Sequence, residues 1–379
     1  MKRLRFLFVE TFYGGSHRAF ADAVVRHSRH EIDLVTLPDR HWRRRLQIAA
    51  WQVAERITNL EAYDGLLVTD LVDLSELRGV LARRATLPPV MLYMHESQMT
   101  YPPTQRRTPP RELLLLELKN IASAERVLFN SRSHRDTFAE AARAFLATYR
   151  TADTIAPPAA IEAAVETAKT APVHYPGAER CPRGNRAPLS AQAESDEAPL
   201  IIWNHRWEYD KDPESFFRAL PALARDGVAF RVAILGEESR IMRPRFEAAA
   251  AELGDRVVHL GYAESSAAYR HFLESGDLVV STAIQENFGI AVCEAVLCGC
   301  VPVLPRRLSY PELVPEQYHE RCLYDDEPGL YRRIRELLSL RPLHRKTLAA
   351  ELQRAFQRFE RGRLAPQLDR ELDRLAASR

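Results

Sequence analysis

Short apolar runs alternate along the chain with longer stretches in which apolar residues recur every three to four positions. That is the pattern of buried parallel strands separated by amphipathic helices. In the first half the runs are Leu4–Glu10, Glu31–Leu37, Leu66–Thr69, Val90–His95 and Val127–Asn130. Helices are expected from Ser16 to about His27 and over Arg44–Thr58, Leu74–Arg84, Arg111–Ala122 and Ser133–Tyr149. Ala159–Thr170 reads as a further short helix and Val173–Gly177 as a last strand or turn. The rhythm restarts with runs at Leu200–Trp203, Phe230–Leu235, Val257–Leu260, Leu278–Val280 and Val301–Leu304, and with helices near 213–225, 240–253, 265–274, 288–298, 327–339 and 343–360. Repeated strand–helix units predict an α/β protein with parallel sheets covered by helices on both faces. Right-handed crossovers then gather the strand C-terminal ends along one edge, where ligands bind.

Between Thr151 and Leu200 the rhythm breaks into small residues and prolines. The expected organisation is a Rossmann-like domain over 1–177, a mobile linker over 178–199 and a second Rossmann-like domain over 200–360. A helical tail over 361–379 could pack on either domain, and the two domains are expected to face each other across a central cleft.

Composition narrows the class. A chain of 379 residues suffices for two ordinary domains, and 46% hydrophobic with 27% charged residues excludes a disordered protein. No apolar run reaches the length of a membrane span, and the start, Met1-Lys-Arg-Leu-Arg-Phe6, lacks the apolar core of a secretory leader. Five cysteines follow no disulfide spacing, and Cys293, Cys298 and Cys300 share an apolar stretch without nearby histidines, so buried reduced thiols are expected. Together these predict a cytoplasmic protein. The net charge of +2 hides an asymmetry: residues 1–150 carry 23 Lys and Arg against 17 Asp and Glu, a net of +6. Arg40, Arg43, Arg44 and Arg45 surround Trp42, and Arg83-Arg84 and Arg106-Arg107 add two pairs. Such a half suits an anionic partner, with solvated surface arginines as the alternative.

Chemistry concentrates at the predicted strand ends. In Ser281–Val303, Glu286 and Glu294 are separated by seven residues, in a loop and on an apolar helix closed by Gly299. Glu294 needs a partner there, because an unpaired buried charge is costly. Asn287, Phe288, Gly289 and Ile290 open that helix and would offer backbone N–H groups to phosphate or sugar oxygens. Arg206 and Lys211 follow the first strand of the second domain, with Asp212 as helix cap and Pro213 in the first turn, a natural diphosphate pocket. The triplet Asp210-Lys211-Asp212 resembles a metal-holding pair of aspartates, but Lys211 competes and Asp212 already has a capping role. Gly14 and Gly15 allow close backbone approach after the first strand. Ser16 and His17 begin the next helix, where either could touch a substrate or cap the helix. His95 and Asn130 end two further strands, and Glu96 and Gln98 follow His95.

The spacing of Glu286 and Glu294, with Phe288-Gly289 between them and Cys298-Gly299-Cys300-Val301-Pro302-Val303 after, resembles the signature of retaining glycosyltransferases of family 4, which have the GT-B fold. Asn287 stands where that signature usually has glycine. Val9–His17, Tyr93–Pro102, Phe129–Ser131 and Asn204–Pro213 resemble the tRNA-queuosine α-mannosyltransferase family, and the likeness spans nearly all the chain outside the linker. The resemblance implies transfer of mannose from GDP-mannose, with retention, to the queuosine of a tRNA, the aspartate tRNA in known members. It implies Arg206 and Lys211 as the diphosphate pair and His95 beside the reacting sugar. The local chemistry agrees with such a site: Glu286 suits the sugar and Glu294 the ribose, with Gly15 and Asn130 expected on the donor side and Gly14, Ser16, His17, Glu96 and Gln98 on the acceptor side. The implied partners are a queuosine-containing tRNA and a nucleotide sugar, with no further cofactor and no metal. Two other readings stay open: a family 4 enzyme using another sugar or a lipid or glycan acceptor, and a non-catalytic RNA-binding protein on a transferase fold.

Overall fold

The computed structural model describes residues 2–101, 109–152, 156–179 and 198–378. The chain divides into two compact units, Met1–Gly177 together with Arg361–Arg379, and Ala178–Glu360. Most of the linker expected over 178–199 lies outside the described residues, as do Arg106, Arg107 and Cys181.

In the first unit five strands, β1 (Arg5–Glu10), β2 (Glu31–Thr36), β3 (Gly65–Thr69), β4 (Val90–Met94) and β5 (Arg126–Phe129), form one parallel sheet in the order β2-β1-β3-β4-β5. Val173 adds an isolated parallel bridge beside Phe129, the residue of the last expected strand. In the second unit β6 (Leu200–Asn204), β7 (Arg231–Leu235), β8 (Val257–Gly261), β9 (Leu278–Val280), β10 (Val301–Pro305) and β11 (Leu323–Tyr324) run parallel in the order β11-β10-β9-β6-β7-β8. Both are the α/β architecture read from the strand–helix rhythm. In each sheet the order reverses beside the first strand, at β1/β3 and at β6/β9. The connections leave neighbouring strands in opposite directions there, which is where ligands bind in sheets of this kind.

Three local readings change. The helix expected over Arg44–Thr58 is two pieces, Trp42–Leu46 and Ala49–Arg56. The first buries nothing, whereas the second seats Ala49, Ala50, Val53 and Ala54 in the core. The helix expected over 288–298 is shorter, Ile290–Leu297, because Gly289 at φ 98° starts it. Strand β11 is two residues long, too short to carry a periodicity.

The C-terminal helix, Arg361–Ala376, belongs to the first unit. Leu368, Leu372 and Leu375 join Phe6, Phe8, Phe20, Leu67 and Tyr93 in one apolar cluster. Asp369 accepts from Ser28 Oγ at 2.6 Å and from Arg29 N at 3.1 Å. Gly65 permits the close approach, since a Cβ there would lie 2.8 Å from Leu375 Cδ2. Cys293, Cys298, Cys300 and Cys322 are all buried free thiols. Among the described residues no helix is long and apolar enough to cross a membrane.

Candidate active site

The second unit's polar cluster sits where its strand order reverses. After β6 the chain makes a single tight turn, Tyr209–Lys211, which is fastened to the loop after β9. Ile284 N donates to Asp210 O at 2.8 Å, and Thr282 Oγ1 donates to Lys211 O at 2.8 Å. Asp212, in the left-handed region at φ 45°, accepts from Ser215 N at 3.3 Å and caps the helix Pro213–Arg225, as its sequence position predicts. This packing buries Lys211. Its Nζ donates to Gln285 O at 2.7 Å and lies 3.3 Å from both Glu286 Oε2 and Asp210 Oδ2. Burial alone would lower the Lys211 pKa, but Glu286 and Asp210 outweigh it and raise it. Burial likewise pushes Glu286 up, yet Lys211, His205 and the N–H of Phe288 hold its carboxyl below the usual range. Asp210 and Asp212 thus serve an ion pair and a helix cap.

The arrangement differs from expectation in four places. Arg206 does not share the buried site. Its side chain is 54% exposed, with Glu208 3.5 Å away. The N–H groups of Phe288 and Gly289 are not open to a ligand, because both donate to Glu286 Oε1, at 3.4 and 3.0 Å. Phe288 itself is core, edge-on to Phe359. Asn287 takes a hydrogen bond from Gln285 Nε2 at 3.1 Å, and Ile290 begins the helix. Glu294 takes a hydrogen bond from a tyrosine: Tyr269 donates to Oε2 at 2.9 Å and accepts from Asn204 Nδ2 at 3.0 Å. Both carboxylates of the spaced pair therefore have protein partners. Gly289 is required at its place, since a Cβ would meet Tyr310 Cε1 at 3.1 Å.

The first unit brings a second cluster to its own order reversal. Glu10 ends β1, Thr69 ends β3, Asp70 follows it, and His95 follows β4. Glu10 is fully buried. Its Oε1 accepts from Phe12 N at 2.8 Å and Thr69 Oγ1 at 3.1 Å, while Oε2 lies 3.2 Å from His17 Nδ1 and 3.8 Å from His95 Nε2. The two imidazoles are 4.1 Å apart between centroids. Burial disfavours the charged form of His17, but Glu10, Asp70 and Glu96 raise its pKa to about 9. Burial, with His17 and His134 adding to it, holds His95 well below its ordinary value. Burial lifts the Asp70 carboxyl to about 7 despite His17 nearby, and Asp70 accepts from His95 N at 2.9 Å. The ligand-type atoms of Glu10, His17 and His95 all lie within 4.8 Å of one another, a spacing that suits a proton or a metal ion.

Gly14 caps the helix Gly15–His27 and packs against Asp39, while Gly15, at φ 49°, and Ser16 are exposed at its start. His17 is buried beside Glu10 and makes no cap. Asn130 turns inward, donating from Nδ2 to His95 O at 2.6 Å and meeting His134 Nδ1 with Oδ1 at 2.8 Å, so its amide orients the His95 backbone. Glu96 and Gln98 are half-buried on the loop after His95. That loop is held by Glu117, a residue absent from the sequence reading. It accepts from Ser97 Oγ at 2.7 Å and Gln98 N at 2.6 Å, and burial raises its pKa to about 8. Glu10 and Asp70 were legible in principle. Glu10 and Asp70 are lone acids closing apolar strands, the same signal that singled out Glu294.

Known proteins resemble the chain in the same two parts. Residues 5–167 match the family described as tRNA-queuosine alpha-mannosyltransferase N-terminal, and residues 187–353 match Glycosyl transferases group 1. A tRNA-queuosine alpha-mannosyltransferase of Drosophila melanogaster is 32% identical over 317 residues, 82% of this chain and 82% of that protein. Among solved structures, sucrose-phosphate synthase from Thermosynechococcus elongatus aligns with a TM-score of 0.72 at 16% identity, over 100% of both chains. Anabaena HepE in complex with UDP and glucose aligns at 0.67 and 16%, over 98% of this chain and 100% of that one. These structural likenesses establish the fold as GT-B.

Proposed function

This chain belongs to the tRNA-queuosine alpha-mannosyltransferase family, and from that premise we propose that it moves mannose from GDP-mannose onto the queuosine of a tRNA, aspartate tRNA foremost, with retention of configuration. It is a glycosyltransferase. The observation that carries the finer reading is Lys211, a cation buried between two carboxylates at the β6/β9 reversal. As the glycosidic bond stretches, negative charge gathers on the leaving diphosphate. A cation already fixed by Asp210 and Glu286 can stabilise that charge without reorganising. Arg206, exposed on the same segment, adds a second donor for phosphate oxygens. These two cations serve the leaving group without a metal. Glu286 is oriented by Lys211 and two backbone N–H groups, which leaves its carboxylate rigid for sugar hydroxyls. Glu294 and Tyr269 form the corresponding pair for the nucleotide ribose. The leaving phosphate takes the acceptor proton from the same face, so no glycosidase-like carboxylate pair is invoked.

The basic first half, with its net charge of +6 over residues 1–150, supports a polyanionic acceptor. A lipid acceptor loses its main support, since the helix around Trp42 is five residues long and offers little surface to a membrane. The test is to incubate the protein with queuosine-containing tRNA and a panel of nucleotide sugars, then weigh the released nucleosides. Hexosylated queuosine formed with GDP-mannose is expected, and RNase pretreatment should abolish it. No hexosylated nucleoside with any donor would overturn the proposal.

A further inference from the structure

The Glu10 cluster poses a charge question. One carboxylate oxygen, Oε2, faces two imidazoles, His17 Nδ1 at 3.2 Å and His95 Nε2 at 3.8 Å, and the rings lie 4.1 Å apart. Glu10 is 0% exposed, His17 6% and His95 7%, so water screens none of the three. Two imidazolium ions that close would repel strongly at low dielectric, while a lone buried carboxylate without a cation would be costly. One proton satisfies both demands. The nearer ring, His17, takes it. The other carboxylate oxygen is already fixed by Phe12 N and Thr69 Oγ1, so the group cannot rotate toward His95.

We propose that Glu10 is a positioning residue that keeps His17 protonated and His95 neutral, so that His95 meets its substrate as an uncharged hydrogen-bonding group. The surrounding groups agree with that division. Asp70, after β3, and Glu96, after β4, add negative charge around His17. His134, from the helix Arg132–Ala152, adds to the pressure against charging His95. His95 is further pinned by Asp70, which accepts from its N–H, and by Asn130, which donates to its carbonyl. The catalytic consequence rests on reading this edge as the reacting end of the first unit; the protonation pattern does not.

The test reads protonation directly. Imidazole nitrogens are followed by NMR in the full-length protein across the neutral and alkaline range, with His17→Asn and His95→Asn spectra assigning the two signals among the twelve histidines. His17 should stay cationic until about pH 9 and His95 should be neutral throughout. In Glu10→Gln, His17 should titrate lower by roughly 1–3 units. If Glu10→Gln fails to fold, the wild-type spectra still decide. A neutral His17 near neutral pH, or a charged His95, overturns the proposal. So does a His17 titration unmoved in a folded Glu10→Gln variant, or a stoichiometric metal whose removal by chelator shifts both imidazole signals. Loss of mannosyl transfer to any acceptor, with the predicted titration intact, would instead count against the functional reading alone.

Discussion

In the first unit, Glu10, Asp70 and His95 stand at strand ends beside His17, and Glu117 holds the loop after His95; burial lifts the Asp70 carboxyl to about 7 and that of Glu117 to about 8, whereas His17, against its own burial, is raised to about 9 by Glu10, Asp70 and Glu96 and stays charged. In the second unit Lys211 lies between Asp210 and Glu286, and the pairing drives Lys211 up and Glu286 down, away from neutrality. Both clusters sit at a reversal of strand order. One holds mobile protons, the other a permanent charge pattern. A site that must grip a diphosphate at every working pH wants the second arrangement. A site that handles hydroxyl protons can use the first. The pH response of the enzyme should therefore come from the first unit.

The largest effect expected from breaking this contrast is at Lys211. Lys211→Ala leaves Asp210 and Glu286 buried without their cation, which should cost roughly 3–5 kcal/mol in denaturant melts. Transfer should drop by roughly 10²–10³-fold. Combining Lys211→Met with Asp210→Asn and Glu286→Gln should return most of the stability and none of the transfer; recovered transfer would reduce the cluster to a structural role.

A pH series should separate the two units. A raised pKa contributes stability that is complete below the unfolded value and is lost as pH rises through the folded one. For His17 that loss runs from 6.5 to about 9, and for Glu117 from 4.5 to about 8. Glu286 is depressed, so its contribution is complete above 4.5 and is lost only as pH falls through its lowered value. Raising the pH from about 7 to about 9 should therefore lower hydrogen-exchange protection, corrected for the base-catalysed intrinsic rate, in β1, β3 and β4 while the protection of β6, β7 and β9 holds. Equal loss of protection in both sheets would contradict the division.

The smallest effect is at Tyr269. Tyr269→Phe removes one hydrogen bond to Glu294 and one from Asn204. A loss of about 1 kcal/mol follows. It should appear as a several-fold rise in KM for the nucleotide sugar with kcat nearly kept. An unchanged KM would free Glu294 from any part in donor binding.

The strand–helix rhythm was visible because apolar spacing is local, and so were the Asp212 cap and the spacing of Glu286 and Glu294. The split at Ile48 escaped because the arginines around Trp42 carry no apolar stripe to place a boundary. Glu10 escaped because it closes an apolar strand, where the residues around it read only as core. Glu117 escaped because a charged residue on an amphipathic helix reads as solvated until the loop that covers it is known.

By itself the sequence determined the α/β class, the boundaries of most elements and the family, since these rest on periodicity and on motifs read within a few tens of residues. Tertiary structure decided what those motifs touch. Strand order brings Glu10, Asp70 and His95 together from positions far apart in the chain, and buries Lys211 between Asp210 and Glu286 while Arg206, five residues before it, stays exposed. It also assigned the C-terminal helix to the first unit, because Leu368, Leu372 and Leu375 find their apolar partners on β1, β3 and β4. Burial and charge compensation arise from contacts distant in sequence, so only the folded chain could assign them.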